Sequence, residues 1–299
     1  MKKFFKTKEG FAVFSLILSA LIGVLMGIWV RLMAHHFGNF QQIALRATIG
    51  GLLGLVIYSF TKKIKVKTLF KISKLDFFYI FLRTTLMLIG IGMFTFAINN
   101  GNFSNINMIY ALPTTAIFGF FILKEKLTLL KLIALIIGFL GAALIAVKNF
   151  HSLSAIGAGE IAALVSTFFY SGSYIARKFI SKSMNNEEIA VLGSLLTGIF
   201  ALLVSLFLGN QISNFYTLDW SLAIVAIAAG LNFIFIGTLN NYGFEHVEAI
   251  VANNLLVLSA PFGLLIGIFM YKEVPTTMGL IGGLMVVLSA VMINYFSKK

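Results

Sequence analysis

Ten runs of about 20 apolar residues, separated by short polar breaks, dominate this 299-residue sequence. A helix of that length matches the hydrocarbon core of a bilayer. The runs lie at 11–34, 39–61, 77–99, 103–123, 128–147, 157–180, 188–208, 220–240, 249–271 and 277–296. They predict an all-α integral membrane protein with ten transmembrane helices.

The composition agrees with a chain that mostly faces lipid. Hydrophobic residues make up 59% and charged residues 11%, against roughly 45–50% apolar and about 25% charged in soluble domains. Water-soluble enzyme folds are thereby excluded. The first apolar run, which follows four lysines, is too long for a signal peptide and lacks a small-residue cleavage site, so we expect it to stay as the first helix.

The formal net charge of +13 is explained by membrane topology, and we predict no nucleic-acid partner. With a cytoplasmic N-terminus, the segments predicted inside hold seventeen Lys and Arg residues, and those predicted outside hold three, Arg31, Lys148 and Lys272. Cytoplasmic loops carry such an excess. The asymmetry predicts a multi-pass protein with both termini in the cytoplasm. A composition rich in Phe, Ile, Leu, Lys and Asn is typical of an AT-rich bacterial genome, which places it in the inner (cytoplasmic) membrane.

The second half of the chain repeats the first. PTTAIFGFFILKEKLT, from Pro113, aligns with PFGLLIGIFMYKEVPT, from Pro261, at an offset of 148 residues and with six identities in sixteen positions. Residues 1–150 and 151–299 are therefore predicted to be two five-helix repeats. Because five is odd, the second repeat runs inverted in the membrane, an arrangement typical of secondary transporters. The alternative is that the duplication serves packing only.

With these repeats, the sequence resembles the EamA-type drug/metabolite transporter (DMT) superfamily across nearly its whole length. The resemblance rests on the two Pro-to-Lys-Glu-to-Thr segments, on IALRATIGGLLGL around Arg46, on LRTTLMLIGIGMFTFAINN around Arg83, and on LNNYGFEHVEAIVANN in the second half. It implies a ten-helix permease with both ends in the cytoplasm. The superfamily moves many unlike metabolites, so the resemblance names no substrate.

Two arginines lie well inside predicted spans. Arg46 is about two turns from the outer end of the second segment, and Arg83 about two turns from the inner end of the third. Charges at such depth are costly and typical of binding sites, although either side chain could instead snorkel to the headgroups. All ten carboxylates are predicted in loops or at helix ends. Arginine without a nearby acid favours an anionic or zwitterionic substrate, and Arg83 is the predicted anion contact.

Polar residues within the apolar runs complete the predicted substrate site. Tyr110 and Thr114 share one helix face, as do Tyr170 and Tyr174, because residues four apart lie above one another. The alternative for each residue is hydrogen bonding between helices. The predicted substrate-binding residues are Arg83, Asn107, Tyr110, Thr114, Tyr170, Tyr174, Asn232, Asn253 and Asn254.

Two prolines occupy equivalent positions in the repeats. Proline cannot donate the helical hydrogen bond, so Pro113 and Pro261 are expected to leave the carbonyls of Ile109 and Val257 without their helical donors. Their symmetric placement predicts paired hinges for alternating access, with static kinks as the alternative.

Several other function classes lack support in the sequence. Cysteine is absent, and neither metal-ligand spacing nor a phosphate-binding loop occurs, so we expect no metal or cofactor. A channel would need a ring of charges or a filter loop, and an intramembrane enzyme would need a catalytic constellation at depth. We therefore expect no enzyme, but a secondary transporter for a small polar or amphipathic metabolite. Its partners are a small-molecule substrate and the lipid bilayer, with a homodimer left open.

Overall fold

The structure is a computed structural model that describes residues 7–64, 72–101, 106, 109–146, 157–181, 183–209, 219–272 and 276–296. These ranges contain helices and no strand. The helices are α1 (Lys8–Ala34), α2 (Asn39–Phe60), α3 (Lys74–Asn100), α4 (Thr114–Leu123), α5 (Leu129–Ala146), α6 (Ala158–Arg177), α7 (Asn186–Phe207), α8 (Trp220–His246), α9 (Ala249–Leu256), α10 (Ser259–Tyr271) and α11 (Thr277–Phe296).

Helix length and apolarity identify the chain as a multi-pass membrane protein. Seven described stretches are long and apolar enough to cross a membrane, namely α1, α2, α3, α7, α8, α11 and the stretch Ala249–Ile266. The helices α4 and α5 are apolar but shorter. By contrast, α6 carries several serines that are buried against other helices, namely Ser166, Ser171 and Ser173.

Three helices, α1, α3 and α8, are longer by at least three residues than the hydropathy of the sequence predicts; α1 begins at Lys8 instead of 11. α3 begins at Lys74 instead of 77, because the Ser73 hydroxyl accepts a hydrogen bond of 3.0 Å from the backbone amide of Asp76 and caps the first turn. α8 continues to His246 instead of ending near 240. Its last turns are polar, but Asn241 and Phe244 are buried against other helices.

Both segments that contain the repeated prolines are interrupted. In the first half, helical backbone at Ile109 and Tyr110 gives way to a turn, and α4 starts directly after Pro113. In the second half, a turn at residues 257–258 separates α9 from α10.

Tight turns supply hydrogen bonds at the two breaks. The carbonyl of Ile109 accepts from the amide of Leu112 at 3.1 Å, and the carbonyl of Val257 accepts from that of Ala260 at 2.9 Å. Each carbonyl thus lacks the helical donor four residues later, as the prolines predict, and a bond from three residues later takes its place.

The starts of α3 and α7 and the ends of α2 and α6 lie together at one end of the bundle. The start of α3 contacts the residues after α6, where Asp76 accepts a hydrogen bond of 2.7 Å from the Ser181 amide. The residues after α2 contact the start of α7, where Asn185 donates to the Lys63 carbonyl at 2.5 Å. The residues after α4 also lie here, since Glu125 is 3.4 Å from Lys178. We call this the basic end, because its helix termini carry Lys62, Lys63, Lys74, Lys124, Lys126 and Lys178.

Helix packing follows the predicted repeat. α3 packs along α6, and α1 packs along α8; α2 pairs with α7, and α5 with α11. If α9 and α10 are taken as one segment, the two repeats are related by a shift of five segments. This shift turns the pair α3–α6 into the pair α8–α1. It exchanges α2 with α7 and α5 with α11, so these two pairs map onto themselves. Lys124 and Lys272, which are equivalent in the sequence repeat, both adopt left-handed backbone with φ of 55° and 54°. The pairing of the helices and the backbone at these two lysines are thus consistent with the repeat.

Candidate functional site

Five aromatic rings form a column between α3, α6, α8 and the segment before α4. Tyr170 and Tyr174 stack at 6.2 Å between ring centroids, and Tyr174 stacks on Phe244 at 4.6 Å. Tyr110 lies 6.4 Å from Tyr170 and 5.3 Å from Phe94. The three tyrosines keep part of their surface accessible. We call Phe94, Tyr110, Tyr170, Tyr174 and Phe244 the aromatic column.

The three tyrosine hydroxyls of the column differ in their partners. Tyr110 donates to the Ser166 hydroxyl at 2.6 Å. Tyr174 accepts from the Asn240 amide at 3.4 Å. The Tyr170 hydroxyl makes no hydrogen bond with any residue in the described ranges. Tyr170 therefore offers a free phenol beside an apolar surface.

Arg46 lies beside that phenol. Its side chain is 1% exposed, and its Nη2 donates to the Thr95 hydroxyl on α3 at 3.1 Å. Nε and Nη1 find no acceptor among the described residues. Tyr170 packs against a buried cluster that includes Ala44 of α2 and Ile91 of α3, and these lie within about one turn of Arg46 and Thr95. Arg46 is thus a buried cation that the described part of the protein leaves largely unsatisfied.

Arg83 lies further along the column, near Tyr174. It is 8% exposed, and its Nη2 donates to the Asn241 side-chain oxygen on α8. Asn241 in turn donates to the Asn186 carbonyl at the start of α7, at 3.1 Å. Both deep arginines therefore pack inside the protein. The snorkelling alternative is not what the structure shows.

A buried ion pair connects Arg83 to the basic end. The Arg177 guanidinium, at the end of α6, lies 3.0 Å from the Glu245 carboxylate on α8. Asn186 bridges the pair, because its oxygen accepts from Arg177 at 2.7 Å and its amide donates to Glu245 at 2.6 Å. Arg177 is close enough to Arg83 for the two cations to repel each other. Glu245 thus offsets Arg177, while Arg83 has only the neutral Asn241.

Sequence reasoning missed this pairing. The sequence places Arg177 among the basic residues predicted on the cytoplasmic side and indicates no partner for it, yet it is 3% exposed. No local spacing connects Arg177 with Glu245, which lies 68 residues later. Lys131 was missed in the same way: it is buried in α5 and pairs with Glu248.

The carboxylates lie where the sequence predicts them. Nine are in the described ranges, at helix ends or beside them; the tenth, Glu273, lies outside. The nine are Glu9, Asp76, Glu125, Glu160, Glu187, Glu188, Asp219, Glu245 and Glu248. Among these residues, none forms an ion pair with Arg46 or Arg83. The deep part of the described site is therefore cationic.

The other predicted site residues divide into separate contacts. Thr114 accepts from Ser171 at 2.8 Å and joins α4 to α6. Asn232 donates to the Ile22 carbonyl at 3.1 Å and joins α8 to α1. Asn254 accepts from Ser289 at 2.8 Å and joins α9 to α11, while its neighbour Asn253 is buried.

Only part of the predicted set thus comes together. The structure places Arg83, Tyr110, Tyr170 and Tyr174 along the column. Asn232 and Asn254 bond other helix pairs, and the contact of Thr114 joins helices in the way that the interhelical alternative describes. Asn107 lies outside the described residues. In the described part of the chain no three His, Asp or Glu residues cluster as metal ligands would.

Comparison with known proteins agrees with this architecture. The EamA-like transporter family matches residues 10–147 and again residues 157–295. A solved structure described as "Crystal structure of protein" aligns with a TM-score of 0.76 at 14% sequence identity, over 96% of this chain and 98% of that one. At that identity it shows a shared fold alone. No curated protein matches. The two family matches cover the chain from the first helix to the last, and the chain belongs to the EamA-like transporter family.

Proposed function

We propose that the chain is a secondary transporter that carries a small anionic or zwitterionic metabolite across the bacterial inner membrane by alternating access. The observation that carries this proposal is a pair of buried arginines, Arg46 and Arg83, beside an aromatic column and without a carboxylate partner in the described residues.

An uncompensated buried cation favours an anionic substrate. Removing a charge from water costs several kcal/mol even after the protein relaxes, and a bound anion would offset that cost. A cationic substrate would meet repulsion from both arginines. The rings of the column add apolar contact surface, so the proposed substrate is amphipathic rather than a bare ion.

The proposed topology has ten spans and cytoplasmic termini. The basic end collects the lysines that follow α2 and α4 and that precede α3, and lysine-rich loops favour the cytoplasm. We therefore take the basic end as the cytoplasmic one. The Arg177–Glu245 pair and the Asp76–Ser181 contact then close the cytoplasmic side.

Alternating access requires contacts between the repeats to separate. The contact between Asp76 at the start of α3 and Ser181 after α6 joins the two repeats, whereas Arg177 and Glu245 both belong to the second. Rocking of one repeat against the other would break the Asp76–Ser181 contact and open the column to the cytoplasm, while the Arg177–Glu245 pair moves with its repeat. The breaks before Pro113 and Pro261 supply backbone that can bend, because turns there replace continuous helical bonding.

A ligand panel tests the charge preference. Purified protein in detergent would be heated with matched small acids, amino acids, amines and neutral amides, since a ligand that binds the folded state raises Tm. We expect acids or zwitterions to raise Tm and simple amines to leave it unchanged. Stabilisation by amines alone would refute an anion-selective site, although not membership of the family.

A further inference from the structure

The two deep arginines are not equivalent. Arg83 donates to Asn241, which is fixed in turn by Asn186, so its guanidinium is part of the network at the basic end. Arg46 has a single neutral partner, Thr95, and leaves Nε and Nη1, which carry most of its N–H donors, without acceptors in the described protein. Arg83 also leaves Nε without an acceptor among the described residues, so the two arginines differ in their surroundings rather than in their number of donors.

Unsatisfied groups converge at this point from two helices. Arg46 comes from α2 and is 1% exposed, whereas Tyr170 comes from α6, remains partly accessible and has a hydroxyl free of partners in the described residues. Buried polar groups are nearly always hydrogen-bonded. Two unbonded guanidinium nitrogens of Arg46 and a phenol without a partner in the described residues leave room for a third, polar group, and the charge of Arg46 favours an anion there.

We propose that Arg46, Thr95 and Tyr170 form the subsite that binds a carboxylate of the substrate, while Arg83 holds the basic end together. Thr95 orients the guanidinium through one N–H of Nη2. The second N–H of Nη2 and its neighbour on the same edge, from Nε or Nη1, remain to donate to the two carboxylate oxygens. The Tyr170 hydroxyl adds a neutral donor. Phe94 and the rings of Tyr110 and Tyr170 bind the apolar part of the same molecule. This inference rests on the proposed transport function and assigns recognition of the anion to Arg46.

A carboxylate fits this subsite better than a phosphate ester does. A guanidinium and a carboxylate are both planar and pair through parallel hydrogen bonds. A phosphate ester carries up to two negative charges at neutral pH, and the described residues around Tyr170 supply a single cation. The surrounding side chains, among them Leu88 and Ile91, are apolar and buried, which disfavours the second charge.

The test compares matched ligands on matched variants. Affinities would be measured for a series of monocarboxylates from acetate to 3-phenylpropanoate, for their amides, and for phenyl phosphate. Wild-type protein should bind at least one carboxylate about 10–100-fold more tightly than its amide, as expected for hydrogen bonds to a charged group. In Arg46→Gln that preference should vanish, and in Arg46→Lys it should weaken. Arg83→Gln tests the competing assignment: if Arg46 and not Arg83 binds the carboxylate, this variant should retain the preference.

Each other result has a definite meaning. If Arg83→Gln removes the carboxylate preference and Arg46→Gln keeps it, the subsite is wrong while the proposed transport of anions stands. Preference for phenyl phosphate over every carboxylate also overturns the subsite. If neither anion binds wild-type protein, both proposals fail. Should Arg46→Gln not fold, Tyr170→Phe and Thr95→Val must each weaken carboxylate binding by about 5–10-fold, and unchanged affinity in both contradicts the subsite.

Discussion

The Glu125 carboxylate, just beyond the last turn of α4, accepts a hydrogen bond of 2.8 Å from the backbone amide of Ala249 at the start of α9. Its second oxygen accepts from Ile250 at 3.0 Å. Glu248, the N-cap residue of α9, makes no capping bond with its own side chain. A residue from the first half of the chain therefore caps a helix in the second, where a negative charge is favoured by the helix dipole.

We predict that Glu125→Gln lowers the stability of the folded protein by about 1–3 kcal/mol, the range for hydrogen bonds to a charged group. The amide keeps one acceptor oxygen but loses the charge and the second bond, together with the ion pair to Lys178 at 3.4 Å. Thermal unfolding in detergent would measure the loss. Glu9→Gln makes the same change at an exposed position of α1 and should leave Tm nearly unchanged. Equal shifts in both variants would contradict the capping role.

The Arg177–Glu245 pair should behave as a coupled unit. Breaking a buried pair by removing one partner costs roughly 3–5 kcal/mol, and we expect the lower part of that range because Glu245 retains 21% side-chain exposure. Arg177→Met and Glu245→Gln should each destabilise, whereas the double variant should lose less than their sum. A double-mutant cycle on unfolding free energy gives the coupling. Additive losses would show that the two charges do not interact in the folded protein.

Removal of the charge at Arg46 should stabilise the ligand-free protein. The guanidinium is buried with a single neutral partner in the described structure, so Arg46→Met removes an uncompensated charge and keeps most of the side-chain volume. We expect Tm without ligand to rise. Arg83→Met removes the bond to Asn241 and should not raise it. A fall in Tm for Arg46→Met by several degrees would mean that Arg46 contributes to the fold itself.

Two glycine substitutions should have opposite effects. A Cβ atom at Gly50 would lie 2.5 Å from the Gly230 carbonyl oxygen, where α2 crosses α8. Gly50→Ala should therefore force these helices apart and cost about 1–3 kcal/mol. Gly23, inside α1, has nothing within 4 Å of an added Cβ. Gly23→Ala should be neutral or slightly stabilising, because Ala is the better helix former. Equal losses in both variants would argue against close packing at Gly50.

The prolines are predicted to affect rate more than affinity. Pro113→Ala and Pro261→Ala restore a backbone donor at the breaks before α4 and within the start of α10. Each should slow net transport more than it weakens substrate binding, and the two should shift cysteine accessibility toward opposite sides of the membrane. Unchanged rates and accessibility would assign both prolines to static shaping of the helices.

Hydropathy predicts most helices because lipid imposes a simple requirement on length and apolarity. Hydropathy fails where a polar part of a helix is covered by other helices and therefore need not be apolar. The last turns of α8 are polar, so hydropathy ends the helix near residue 240, but Asn241 and Phe244 are covered by other helices. The breaks at 111–113 and 257–258 arise in otherwise apolar sequence. The prolines indicate that a break lies nearby, but they do not determine at which residues the turn forms.

The candidate site was predictable as far as local spacing reaches. Tyr170 and Tyr174 are four residues apart on one helix and do stack. The depth of Arg83 in its span also agrees with its burial. Thr95, the partner of Arg46, is 49 residues away in sequence, and Glu245, the carboxylate partner of Arg177, is 68 residues away. Such pairs depend on which helices pack together, which hydrophobic patterns alone do not determine.

Counterflow in proteoliposomes shows whether the protein carries a carboxylate by alternating access and whether this transport depends on Arg46. Vesicles holding purified protein would be loaded with an excess of the carboxylate that binds best, diluted, and supplied with a trace of the same compound in labelled form. A carrier that alternates between two sides gives a transient accumulation of label above equilibrium, and Arg46→Gln should abolish it. Label that only equilibrates, with a current proportional to voltage, would identify a channel and contradict this account.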